Sequence, residues 1–480
     1  MYMVTTREQL LLVVLLFGAT DIYQSLIPSQ QDVMEDLKGN LTIPRDSPLQ
    51  NWFHTEDKCN WMSVNCSSDY VTKIRIGNQS LGGSLPATLG YLSRLTTLEV
   101  MDNHIGGPLP KFARELDQLH TLNLSNNNFS SIPPEFFSGM TYLATVSLDN
   151  NPFLPWNLSS VPLTDSENLE TFSAANCSLY GTLPAFSDQT FTNLHHLNFS
   201  NNNLTGELRS SLSSATSLVT LRVNDQTGYG LVGSLDFLQR MPDLTQVWLQ
   251  NNAFSGQIPD GLQSLEDFRA NKNLLTGPVP DSMTKTTTLR VVNLGNNLLQ
   301  GPPPRFGIQV QVDYGMYAME NNSFCSSNPG DRCDPQVDIL LDIASHFGYP
   351  VRLAGSWKGS NSCSVNQTWA GVTCDGGGGN ITALNYTHFW LSGTISPAIS
   401  SLTELRNLSL AKNNLTGPIP EELSRLPHLQ MLDVSYNGLC GNVPNSLINV
   451  TVYTGNALIN QDCPRSPPSA LRRNSSYSPP

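Results

Sequence analysis

Leucine recurs along this chain at two spacings. Locally it falls on every second residue, as at Leu122 and Leu124. Over longer stretches the whole pattern returns after about 24 residues. The segments LHTLNLSNNNFSSIPPEFFSGMTY (119–142), LEDFRANKNLLTGPVPDSMTKTTT (265–288) and LRNLSLAKNNLTGPIPEELSRLPH (405–428) each fit L-x-x-L-x-L-x-x-N-x-L, mostly followed by x-G-x-x-P. The two-residue spacing predicts a short strand with its leucines on one side. The asparagine, Asn127 in the first example, marks the turn after the strand. Its amide can both donate to and accept from the backbone of adjacent coils, which predicts an asparagine ladder. Gly and Pro beyond it favour a tight, extended return segment. One coil cannot bury its leucines alone, so the periodicity predicts a stack in which each coil covers the next.

Ten coils run from Val71 to about Gln311, a shortened eleventh reads YGMYAMENNSF (314–324), and three more run from Ile381 to about Val450. The interval between the two blocks looks like a second beginning. Residues 51–66 read NWFHTEDKCNWMSVNC, and residues 356–374 read SWKGSNSCSVNQTWAGVTC. Trp61-x-x-Val64-x-Cys66 returns as Trp369-x-x-Val372-x-Cys374. A short amphipathic helix precedes each. QQDVMEDL offers Val33, Met34 and Leu37, and DPQVDILLDIASHFGYP offers Val337, Leu340, Leu341 and Ala344 at helical spacing. Both stretches read as caps over the raw end of a coil stack. The fold class is therefore an α/β leucine-rich-repeat solenoid in two blocks, separated by a disulfide-bonded non-repeat island.

The nine cysteines refine that layout. Close spacing pairs Cys59 with Cys66 and Cys363 with Cys374 in the two caps, and Cys325 with Cys333 where the first block ends. An eight-residue loop of this kind contributes ~2.5 kcal/mol on the chain-entropy model. Cys440 and Cys463 remain as partners that seal the C-terminal end. Cys177 is left over; it takes the ladder position in LETFSAANCSL (169–179) and reads as a buried thiol. The glycines of CDGGGGN (374–380) form a turn and not a phosphate loop, since no Lys-Ser/Thr follows. The resulting layout is 1–20 signal peptide, 21–70 N-terminal cap, 71–324 first block and 325–380 island. It continues with 381–450 second block, 451–465 C-terminal cap and 466–480 Pro/Ser-rich stalk.

Compartment follows from the same features. Arg7, the apolar run LLLVVLLF (10–17) and Gly18, Ala19 and Thr20 read as a secretory leader. No later run reaches ~18 apolar residues, so no membrane span is expected. Cysteine pairs suit an oxidising compartment, and seventeen Asn-x-Ser/Thr sequons are present. Asn40, Asn157, Asn366, Asn380 and Asn449 are the candidate glycosylation sites. Asn321 is a further one, while Asn123 and Asn198 are equally explained as repeat positions. The chain is therefore expected to be secreted or at the cell surface. A net charge of −13 argues against nucleic acid or anionic lipid binding through a basic face.

Candidate chemistry is sparse. Solenoids bind through their concave strand faces, and most outward positions here are small or polar. The strands VTLRVND (219–225), TQVWLQN (245–251) and EDFRANK (266–272) place Arg222, Trp248 and Arg269 at equivalent outward positions, ~4.8 Å apart per strand. A guanidinium–indole–guanidinium stack there is either a self-satisfied surface ladder or a binding hot spot. Trp357, Trp369 and Tyr349 of the island are expected to pack in the cap. Of His195 and His196 only His196 should point outward, so no two-histidine metal site is expected. No His-Glu-x-x-His, G-x-S-x-G or repeated Cys-x-x-Cys occurs, which points to no enzyme and no cofactor.

The segments FCSSNPGDRCDPQVDILLDIA (324–344), SWKGSNSC (356–363), WAGVTC (369–374), GNITALN (379–385), LSGTISPAI (391–399) and LDVSYN (432–437) carry a family resemblance. Over roughly residues 30–463 the chain resembles the extracellular region of plant leucine-rich-repeat receptor-like kinases, and in particular the TMK subfamily. The resemblance implies a plant-type solenoid outside the cell, one membrane helix and a cytoplasmic Ser/Thr kinase. It also implies a protein partner at the cell surface, either an auxin-binding cupin-like protein or a co-receptor. The sequence departs from that plan at SPPSALRRNSSYSPP (466–480), after which no membrane helix, Gly-rich loop, His-Arg-Asp or Asp-Phe-Gly follows. Kinase activity is thus not carried over. The competing readings are a decoy receptor and a secreted inhibitor of microbial wall-degrading enzymes similar to polygalacturonase-inhibiting proteins. The island speaks against the inhibitor.

Overall fold

A computed structural model describes residues 28–112, 116–134, 136–160, 166–183, 192–208, 212, 214–314, 322–364, 369–376 and 379–464. The leader, the stalk, Asn321 and Asn366 lie outside the described residues. By compactness the chain divides into two units. The first comprises Met1–Ala253, Gly261–Asn271 and Thr286–Val292; the second comprises Phe254–Asp260, Lys272–Lys285 and Asn293–Pro480. The island shares the second unit with the later repeats.

In the first unit the repeat forms three-residue strands that pair in parallel. Thr121–Asn123, Thr145–Ser147, Thr171–Ser173 and His196–Asn198 lie side by side, with Leu122, Val146, Phe172 and Leu197 in one row. Each central residue is buried, and its two neighbours face outward on the opposite side of the pleat. That alternation fixes the register, since a one-residue slip would turn the whole apolar row into solvent. Behind the strands, Phe112, Phe136, Phe137, Phe172 and Phe199 form a chain of ring contacts with centroids 4.9–6.3 Å apart.

The asparagine ladder runs as the repeat predicts. Asn127 Nδ2 donates to the Val100 carbonyl at 2.8 Å, and its Oδ1 accepts the Ile105 N–H at 3.0 Å. Asn202 Nδ2 donates to Ala174 O at 2.7 Å, and its Oδ1 accepts from Cys177 N and Leu179 N at 3.2 and 2.9 Å. Cys177 is buried at a ladder position, where its thiol donates to Ala174 O at 3.0 Å. A second ladder was not anticipated. The residues preceding the ladder positions Asn127, Asn151 and Cys177 hold a left-handed backbone, with φ of 56°, 54° and 51° at Asn126, Asn150 and Asn176. Asparagine tolerates this conformation. Their exposed side chains then bond from coil to coil: Asn126 to Asp102, Asn150 to Asn126 and Asn176 to Asn150, at 2.7, 2.7 and 3.0 Å.

The two caps repeat one construction, one in each unit. In the first, the helix Gln30–Asn40 starts at a Ser29–Asp32 capping box and buries Val33, Met34 and Leu37. Gln30 Oε1 accepts the Val71 N–H at 3.1 Å, and the stacked indoles of Trp52 and Trp61 lie 4.9 Å apart. The strand Val64–Ser67 then pairs antiparallel with Tyr70–Arg75, with a bulge at Asn65/Cys66. In the second, the helix Pro335–His346 is capped by Asp334. Gln336 Oε1 accepts the Ile381 N–H at 3.0 Å, and Trp357 and Trp369 stack at 5.6 Å. The strand Val372–Cys374 pairs antiparallel with Ile381–Asn385, with a bulge at Thr373/Cys374.

Even the glycines correspond. The last helical carbonyls, Asn40 O and His346 O, accept from Ser84 N and Thr394 N, and a Cβ on Gly83 or Gly393 would collide with those oxygens. Both glycines hold positive φ, 90° and 104°. One expectation for the second helix is corrected. Ile343 is the fourth fully buried residue beside Val337, Leu340 and Ala344, whereas Leu341 is half-buried and lies over Gly301.

Disulfides join Cys59–Cys66, Cys325–Cys333, Cys363–Cys374 and Cys440–Cys463, with Cα separations of 5.6, 5.5, 5.7 and 5.0 Å. No helix among the described residues is long and apolar enough to cross a membrane.

Candidate functional site

The strands Thr220–Arg222, Gln246–Trp248 and Asp267–Arg269 pair in parallel within the first unit, and the register aligns Arg222, Trp248 and Arg269. Leu221, Val247 and Phe268 at the strand centres are wholly buried, which puts these three partly exposed side chains on the opposite, outer face. The Arg222 guanidinium carbon lies 4.1 Å from the Trp248 ring centroid, and that of Arg269 lies 4.4 Å from it. Each cation–π contact is worth ~0.5–1 kcal/mol at an exposed site.

Two residues that sequence reasoning missed hold this stack. Asp267 accepts from Arg269 Nε and Nη2, both at 2.9 Å, and from Trp248 Nε1 at 3.1 Å. Gln246 Oε1 accepts from Arg222 Nη2 at 2.7 Å. A signal for them existed, because residues i and i+2 of a strand share a face, and Asp267 and Gln246 precede Arg269 and Trp248 by two. The cluster carries two cations against one carboxylate. Arg222 Nε is buried without a hydrogen-bond partner. With guanidinium groups on both sides of the indole, what it offers outward is N–H donors and a ring edge.

The same face continues as a polar network. Asp149 accepts from the Ser173 hydroxyl at 2.7 Å and from Ala175 N at 2.6 Å. Asn198 Nδ2 donates to Ser173 Oγ at 3.1 Å, and its Oδ1 accepts from the Ser200 hydroxyl at 2.8 Å. Burial raises the Asp149 pKa above the usual carboxylate value, against the lowering effect of the Ser173 and Ala175 hydrogen bonds.

The other candidates fall apart from this cluster. His195 and His196 are both exposed, which corrects the expectation that only His196 points outward. Both N–H groups donate to the Glu170 carbonyl, so alternation has not begun at His195, one residue before the strand. Among the described residues no His, Cys, Asp and Glu group is arranged to hold a metal ion. Trp357 and Trp369 are buried, with Trp357 Nε1 donating to Ala370 O at 3.1 Å; Tyr349 is half-buried against Gly277. Asn40, Asn380 and Asn449 are exposed, and Asn157 is half-exposed with Nδ2 3.1 Å from the Tyr180 hydroxyl.

Family models for the leucine rich repeat match residues 86–153, 193–215, 243–265, 404–426 and 428–450. The leucine rich repeat N-terminal domain matches twice, at 27–67 and 333–375, which are the two caps. Receptor-like kinase TMK2 of Arabidopsis thaliana is 44% identical over 382 residues, covering 78% of this chain and 41% of the relative. Receptor-like kinase TMK4 of the same plant is 37% identical over 407 residues, covering 84% and 42%. The chain thus spans about two fifths of the length of these curated relatives. The solved structure of PEPR1–AtPEP1 shares the fold, with a TM-score of 0.54 at 21% identity over 89% of this chain and 59% of that one. The chain belongs to the leucine-rich-repeat proteins, and over most of its length it is related to the plant receptor-like kinases TMK2 and TMK4.

Proposed function

We propose that this chain is the extracellular recognition region of a plant leucine-rich-repeat receptor-like kinase. It binds a protein ligand or co-receptor through the strand face around Arg222, Trp248 and Arg269. The reading assigns recognition, and no chemistry, to these residues. The observation that carries it is the tryptophan held between two guanidinium groups on a face otherwise built from small and polar side chains. Trp and Arg are the residue types that dominate protein interfaces.

The finer reading follows the family resemblance: an auxin-related signal received through an auxin-binding cupin-like protein. The test is surface plasmon resonance of the secreted chain against such a protein, with and without auxin, and against a co-receptor ectodomain. Trp248→Ala should weaken binding by about tenfold or more. Stability should fall by no more than the two cation–π contacts and the hydrogen bond to Asp267, about 1.5–3.5 kcal/mol. Unchanged affinity in Trp248→Ala would remove this face from the account, and no binding to either class of partner would overturn the receptor reading itself.

A further inference from the structure

The second repeat block carries a different surface. Its first coil and that of the first block are built alike. Asn103 Oδ1 accepts from Gln79 N and Leu81 N at 3.0 and 2.9 Å, and Asn413 Oδ1 accepts from Phe389 N and Leu391 N, both at 3.0 Å. Asn78-Gln79-Ser80 of the first block therefore corresponds to His388-Phe389-Trp390 of the second. Two of these positions demand a left-handed backbone, with φ of 54° at both Asn78 and Ser80, 60° at His388 and 61° at Trp390. Asparagine and serine are ordinary occupants there; a tryptophan is an outlier. The next coils put Lys412 and Tyr436 at the position of His388, again left-handed at 56° and 55°.

Packing does not compensate this strain. Trp390 is 76% exposed and Tyr436 68%. The His388 and Trp390 rings lie 4.7 Å apart, and Lys412 Nζ sits 6.0 Å from the Tyr436 centroid. Arg352 stands beside them, its guanidinium carbon 3.9 Å from the Phe389 ring and its Nη1 3.3 Å from His388 O. Neither Lys412 nor Arg352 makes an ion pair among the described residues. Strained, exposed aromatic residues point to function more than to stability.

We infer that this rung of the second block binds an acidic polysaccharide, a polymer of uronic acids. Its open ring faces suit the flat C–H face of a pyranose, and the unpaired Lys412 and Arg352 suit one carboxylate per sugar. Trp390 and Tyr436 lie two coils apart, about 10 Å along the stack, with Lys412 between them. The order ring, cation, ring on successive coils matches a ligand that alternates a flat ring face with a carboxylate. The surface is separate from the Arg222–Trp248–Arg269 cluster and does not depend on its role.

Isothermal titration of the secreted chain with short oligogalacturonates tests the inference. Methyl-esterified oligogalacturonate and poly-L-glutamate are the controls. Binding is expected to the free acid alone, and Trp390→Ala and Lys412→Glu should each weaken it by about tenfold or more. Trp248→Ala should leave it unchanged. Trp390→Gly relieves the left-handed strain, so it should lose binding while keeping or raising Tm, which separates recognition from folding. The inference is overturned by no binding in the wild type, by equal binding in the variants, or by retention of the methyl ester. Equally tight poly-L-glutamate would overturn it in favour of an acidic protein segment.

Discussion

Removing one interior rung should cost far more than removing one surface rung, and Asn202 and Asn150 make the comparison within one stack. Asn202→Ala leaves the Cys177 and Leu179 N–H groups without their acceptor. It also leaves the Ala174 carbonyl with only the weak thiol donor of Cys177. The site is 3% exposed, so water does not readily replace the amide. Two orphaned buried donors at about 1–3 kcal/mol each predict a loss of about 2–6 kcal/mol. Asn150→Gly also removes two side-chain bonds, to Asn126 and from Asn176, but in solvent. Glycine accepts the φ of 54° without strain, so this loss should stay below about 1 kcal/mol. Because long repeat arrays lose two-state cooperativity, the denaturation midpoint should be read together with amide hydrogen exchange at Cys177 and Leu179. Both amides should lose protection in Asn202→Ala and keep it in Asn150→Gly. A loss below about 1 kcal/mol for Asn202→Ala, or equal effects of the two changes, would refute the ladder energetics.

Two further outcomes rest on titrating groups in the same unit. Burial raises the Asp149 pKa, so between the ordinary value of 3.8 and the raised one the folded chain holds more protons than the unfolded chain. Stability should therefore fall as pH rises through that window, and Asp149→Asn should flatten the fall in Tm measured against pH; a parallel fall in both proteins would contradict this. The Cys177 thiol is pushed up to about 12 by burial, with the Asp149 charge adding to the shift, and is 1% exposed. A disulfide reagent at mildly alkaline pH should label it only on unfolding, and rapid labelling of the native chain would show an accessible thiol.

The strands and the interior ladder were legible because two periods coincide in the sequence, two residues within a strand and about 24 between coils. The doubled cap was legible because Trp-x-x-Val-x-Cys is rare enough to recognise twice. What escaped depends on the register between coils. Asn126, Asn150 and Asn176 read as turn residues, and their bonding appears only once coil lengths of 24 and 26 residues bring the amides together. Helical spacing grouped Leu341 with the cap core, yet spacing cannot say which of two neighbouring surfaces a helix flank meets; Gly301 supplies the open ground for it. The Arg222–Trp248–Arg269 alignment followed from counting residues from each strand leucine. Asp267 was overlooked because a carboxylate beside an arginine on one strand reads as ordinary charge.

Gln30 and Gln336 each present an amide oxygen to the first inner strand of their own block, Val71 and Ile381. A stack that is founded once passes every insertion down its whole length, since each turn takes its alignment from the one before. Here the alignment is set afresh at Gln336. Leu341 and Tyr349 tie the island to the coils at Gly301 and Gly277, so whole turns can be gained or lost before Gly277 while the second block keeps the alignment it takes from Gln336.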